Sequence, residues 1–102
     1  MKAIKFEPGK DPCLIEIENS LKALQKAVGG YIETVTFEED ACLIVNEEGM
    51  FLNLKPQKIF GRTFLGNALI VGVKGDEFAD VPECMIRLVG TKEYSTEERE
   101  KI

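Results

Sequence analysis

The chain has 102 residues, 44% of them hydrophobic and 30% charged, with a net charge of −5. That length supports one core and no second domain, and the composition is that of a folded chain rather than a disordered one. The acidic balance argues against direct nucleic-acid binding, which depends on clustered Lys and Arg, and 13 basic residues interspersed among 18 acidic ones do not make the dense carboxylate array of a DNA mimic.

From the N-terminus, Ile4 and Phe6 alternate with Lys5 and Glu7, a half-buried strand over residues 2–7. Pro8-Gly9-Lys10-Asp11-Pro12 turns the chain. Ile15 and Ile17 then alternate with Glu16 and Glu18, so residues 13–18 form the second arm of a hairpin. Asn19 or Ser20 caps a short helix whose apolar stripe is Leu21, Leu24, Ala27 and Val28, and Gly29-Gly30 ends it.

Tyr31 to Phe37 is rich in Thr, Val and aromatics and reads as a strand, followed by the acidic turn Glu38-Glu39-Asp40. Ala41 to Val45 is apolar throughout, which predicts a central strand covered on both faces. Asn46-Glu47-Glu48-Gly49 reads as an exposed turn between two antiparallel strands, the second carrying Met50, Leu52 and Leu54 on one face and stopped by Pro56. Residues 57–66 are looser, and Asn67 to Val73 is another buried strand. Asp80 with Glu83 predicts a capping box for a helix whose stripe is Val81, Cys84, Met85 and Leu88, ended by Gly90. Ser95-Thr96-Glu97-Glu98 repeats the capping signal in a charged C-terminal segment, residues 91–102.

The expected fold is one α+β domain over residues 1–90, a mostly antiparallel sheet with two helices packed on one face.

The helix running into Val28-Gly29-Gly30-Tyr31-Ile32-Glu33, followed by Asn46-Glu47-Glu48-Gly49, resembles a family of small proteins from phages and mobile elements, domain of unknown function 3846. The likeness extends from Phe6-Glu7-Pro8-Gly9-Lys10 to the glycine-bearing strand of residues 66–72. Where members of that family tend to carry Pro-x-Asn-Arg, this chain has Lys55-Pro56-Gln57-Lys58. The resemblance implies a phage or prophage origin and a bacterial host, and no established activity.

Three well-separated cysteines, Cys13, Cys42 and Cys84, close no disulfide framework. With no paired Cys motif and no histidine, neither a metal site nor a cofactor is expected. Cys42 and Cys84 read as small core hydrophobes. The N-terminus lacks the apolar core of a signal peptide and no stretch approaches a membrane span, so the expected compartment is the cytoplasm.

The absence of histidine removes the commonest general base and every Ser-His or Cys-His nucleophile pair, so the chain is expected not to be an enzyme. Two binding roles remain. One is an accessory protein that binds a protein partner or itself, burying an open sheet edge. The other is a small-molecule binder, for instance one that sequesters a nucleotide signal of host defence, with Lys58, Arg62 and Lys74 as the phosphate-binding candidates. The candidate contact residues are Tyr31, Glu33, Asn46, Glu47, Glu48, Lys58 and Arg62.

Overall fold

Strand alternation at the N-terminus builds β1 (Lys2–Phe6) and β2 (Cys13–Glu16), an antiparallel hairpin, in a computed structural model that describes residues 1–91. The Ser20 hydroxyl then accepts the Ala23 N–H at 3.2 Å and caps α1 (Leu21–Val28). Gly29, at φ 84°, supplies the left-handed conformation that closes the helix, its N–H donating to the Gln25 carbonyl. The chain continues through β3 (Ile32–Glu38), β4 (Ala41–Asn46), β5 (Pro56–Ile59), β6 (Arg62–Leu65), β7 (Ala68–Lys74), β8 (Glu77–Ala79) and α2 (Glu83–Val89).

Every strand pairing is antiparallel. The main sheet runs β2-β1-β7-β4-β3, with β8 pairing the far end of β7, while β5 and β6 form a separate two-stranded hairpin. β8 meets the start of β1 end to end: the Val81 N–H donates to the Lys2 carbonyl at 2.9 Å and the Lys2 N–H to Asp80 Oδ1 at 2.8 Å. A β-carbon on Gly72 would overlap the Asp80 carbonyl, so this junction requires glycine.

β4, apolar from Ala41 to Val45, is buried at all six positions, Asn46 included, because the sheet is covered on both sides. Ala41, Leu43 and Val45, with Ala68 and Ile70 of β7, face Val81 and Met85 and the β5–β6 hairpin residue Ile59. Cys42 and Ile44, with Leu69 and Val71, face Leu24 and Val28 of α1. Each fully buried aliphatic side chain of these layers stabilises the fold by roughly 1.5–3 kcal/mol.

The α+β class, the antiparallel sheet and the two helices agree with the sequence. The helices, however, sit on opposite faces rather than together, because the parity of β4 and β7 presents apolar residues on both sides. Residues 47–53 are turns, not a strand: the Leu52 N–H donates to Glu48 O at 2.9 Å and the Leu54 N–H to Gly49 O at 3.0 Å, local bonds that replace a ladder. Pro56 opens β5 instead of stopping a strand, which an edge position permits because Pro lacks only the outward donor.

The looser stretch is the β5–β6 hairpin, turned at Phe60 and Gly61 with φ of 53° and 79°. At the second helix, Asp80 bonds β1 and the N-cap is Pro82 with no side-chain cap. Its buried stripe is Met85 with partly buried Ile86 and Val89, while Cys84 and Leu88 are exposed. The capping signal at Ser95 lies outside the described residues.

Candidate functional site

Asn46 is the one buried polar side chain among the described residues, 5% exposed at the end of β4. Its amide donates to the Val28 carbonyl at 3.0 Å, and its Oδ1 accepts the Glu48 N–H at 2.7 Å. It thereby ties the open end of α1 to the sheet and starts the next turn. A β-carbon on Gly30 would stand 3.0 Å from the same amide nitrogen, and one on Gly49 would stand 2.9 Å from Leu65 Cβ. The residues that carry the family likeness, Gly30, Asn46 and Gly49, are thus explained by close packing, and Asn46 is not an exposed contact residue. Tyr31, Glu47 and Glu48 are exposed beside it, Tyr31 accepting the Glu47 N–H at its carbonyl. Glu33 is exposed on β3.

The basic candidates do not converge. Arg62 pairs with Ile59 and Lys58 with Thr63, so Lys58 and Arg62 project from opposite faces of the hairpin, and Lys74 ends β7 in the other sheet. Arg62 lies over the Phe64 ring, 5.3 Å from its centroid.

Arg62 borders an apolar cleft of about 220 Å³ between β3, the hairpin tip and α2. Val35, Phe37 and Leu43 form its floor, and Ile59, Phe60, Phe64, Met85 and Leu88 its walls. The Phe37 and Phe60 rings meet at 5.5 Å. A register irregularity between Thr36 and Glu38 breaks the strand alternation, and consecutive residues Phe37 and Glu38 both border the cleft. Phe60 and Leu88 are half exposed or more at 50% and 68%, so the cleft opens onto an apolar rim.

Beside the cleft runs β3, whose only ladder partner among the described residues is β4. Its outer side therefore presents unpaired backbone donors and acceptors along seven residues. This site is not legible in the sequence, because the hairpin that walls it lacks a local signal: its tip carries Phe60 where a two-residue turn of this kind usually has Asn or Asp.

Elsewhere, a second depression joins Glu7, Lys26, Lys55 and Asn67 at the carbonyl end of α1. Partial burial pushes the Glu7 carboxyl up, but the Lys10 and Lys5 ammonium groups, at 3.2 and 3.3 Å, outweigh it and hold the pKa below the ordinary value. Burial pushes the Cys42 thiol up, away from the reactive thiolate. The turn after β4 exposes Met50, Phe51 and Leu52 in succession.

This architecture defines a small antiparallel α+β protein with an open sheet edge lying against an apolar cleft. The chain belongs to the family described as domain of unknown function DUF3846, whose profile matches residues 1–94. No curated protein and no solved structure matches it. Among the described residues no helix is long and apolar enough to cross a membrane.

Proposed function

We propose that this protein is a non-catalytic accessory protein of a phage or mobile element that binds a protein partner in the host cytoplasm. The observation that carries the reading is the apposition of the unpaired β3 edge and the apolar cleft. An edge of this kind offers backbone hydrogen bonds to another chain, and an adjoining pocket offers selectivity for a side chain.

The chemistry of the chain supports a binding role over catalysis. It has no histidine, its one buried cysteine is held toward the neutral thiol, and the cleft lining is apolar apart from Glu38 and Arg62. A small nucleotide finds less to hold here, since Lys58 and Lys74 do not join Arg62 at the cleft. The phage setting rests on the sequence resemblance, and the cytoplasm on three separated cysteines suited to a reducing compartment.

The test is capture of host and phage proteins by the wild-type chain and by Leu88→Glu, which puts a charge on the exposed rim of the cleft. A stoichiometric protein retained by wild type and lost by a variant of unchanged melting temperature supports the reading. Purified protein that instead retains a stoichiometric small molecule, and captures no protein sensitive to Leu88→Glu, overturns it.

A further inference from the structure

We infer that the segment bound at this site is an extended, basic stretch of the partner, added to β3 as a further strand with one apolar side chain seated in the cleft. The inference rests on the partner-binding reading above and specifies its occupant.

Three observations lead to it. First, the cleft is bordered by Val35, Phe37 and Glu38 of the edge strand itself. A strand paired with β3 runs about 4.8 Å further out, and every second side chain then projects over the face on which the cleft opens. Main-chain pairing and side-chain insertion are therefore geometrically compatible, which is how strand addition obtains both affinity and selectivity. Second, a volume of about 220 Å³ falls below the range of about 300–1,000 Å³ typical for drug-sized ligands. It is room enough for a Leu, Met or Phe side chain.

Third, charge selects the flanking residues. Glu33 and Glu38 lie on the edge strand, Glu39 and Asp40 in the turn after it, and Glu47 and Glu48 beside its start. None of these six is in an ion pair among the described residues. Arg62 is the one base among the residues lining the cleft. Lys or Arg two residues to either side of the apolar anchor, and so on the same face of the added strand, would meet this field, speeding encounter and fixing register. A second copy of the chain would bring two such acidic edges together, a like-charge juxtaposition that disfavours self-pairing.

The probe is the peptide acetyl-Lys-Thr-Lys-Thr-Leu-Thr-Lys-Thr-Lys-amide, whose lysines share the face of the central Leu, titrated into the 102-residue chain and followed by backbone amide resonances. Three comparators accompany it: the same peptide N-methylated at alternate residues, with Glu in place of Lys, and with Ser in place of Leu. Binding should perturb β3 and the cleft residues, and each comparator should weaken it by about tenfold or more. The double variant Glu33→Lys, Glu38→Lys, at unchanged melting temperature, should weaken the basic peptide and strengthen the acidic one.

Equal binding of the N-methylated peptide would overturn strand addition, and preference for the acidic peptide would overturn the charge argument. Protection of β3 by a concentration-dependent dimer would assign the edge to a second copy. Tighter peptide binding after removal of residues 92–102 would assign it to that segment. No binding of any peptide, alongside a captured partner lost by Leu88→Glu, would reject this occupant while the partner-binding reading stands.

Discussion

The Asn46 side-chain amide donates to the Val28 carbonyl at 3.0 Å, joining the last residue of β4 to the last residue of α1. Because Asn46 is buried and bonded at both ends of its amide, its removal leaves the Val28 carbonyl and the Glu48 N–H without their partner. Asn46→Ala is expected to destabilise the protein by about 1–3 kcal/mol. Asn46→Asp should cost at least as much, since it removes the donor and sets an oxygen against the carbonyl. Denaturant unfolding of both variants checks this, and a change within about 0.5 kcal/mol for both would mean that the latch contributes little.

Gly49 has no room for a side chain, since a β-carbon would lie 2.9 Å from Leu65 Cβ and 3.0 Å from the Leu65 carbonyl oxygen. The cause is packing: its φ is not among the positive values. Gly49→Val is therefore expected to destabilise by about 1–3 kcal/mol through overpacking. The double variant Glu47→Gln, Glu48→Gln changes only exposed carboxylates and should stay within about 0.5 kcal/mol of wild type. Thermal melts of the two variants side by side should therefore separate widely.

The lowered pKa of Glu7 has a definite pH signature. Its ion pairs with Lys10 and Lys5 favour the charged carboxylate in the folded state, so the unfolded chain binds the proton more readily. The stabilisation is thus fully present above the ordinary carboxylate pKa and disappears as pH falls through the lower folded value. Glu7 is partly solvent-exposed and its pairs are screened, which limits the effect to about 0.5 kcal/mol or less. Glu7→Gln should be slightly less stable than wild type at neutral pH and indistinguishable from it in strong acid. A difference that grows on acidification would contradict the assignment.

The cysteines should report the two-sided core. Cys84 is exposed and Cys42 is 3% exposed with its thiol pKa raised. A thiol reagent at neutral pH should modify Cys84 in the native protein and reach Cys42 only on unfolding, and peptide mapping of the modified sites distinguishes them. Native-state modification of Cys42 as fast as that of Cys84 would place β4 outside the core.

Sequence reasoning reached those parts of the fold where one local signal dominates. The alternation of Lys2 to Phe6, the Ser20 cap, the Gly29 terminus and the apolar run of β4 each settle their own geometry. It failed where long-range contacts override local pattern. Met50, Leu52 and Leu54 alternate like a strand, yet turn hydrogen bonds from Glu48 and Gly49 claim that segment. Asp80 and Glu83 spell a capping box, yet the Asp80 carboxylate is taken by the Lys2 N–H, 78 residues away in sequence.

The candidate site was legible in the same uneven way. Arg62 borders the cleft and Glu33 lies on the adjoining edge, but the cleft residues Val35, Phe37, Phe60, Phe64 and Leu88 come from four separate elements or turns. Only tertiary structure brings them together. Asn46 is a contact candidate by sequence and structural by position: a polar residue followed by Glu47-Glu48-Gly49 gives no local sign that the α1 terminus will bury it.

Amide hydrogen exchange of the protein free and bound to its captured partner tests partner binding at the β3 edge most directly. Strand addition there should slow exchange at alternate amides of Ile32–Glu38, the outward-facing ones, and leave the opposite sheet edge, β2, unchanged. Protection confined to β2, or to the exposed Met50-Phe51-Leu52 turn, with β3 exchanging as in the free protein, would contradict it.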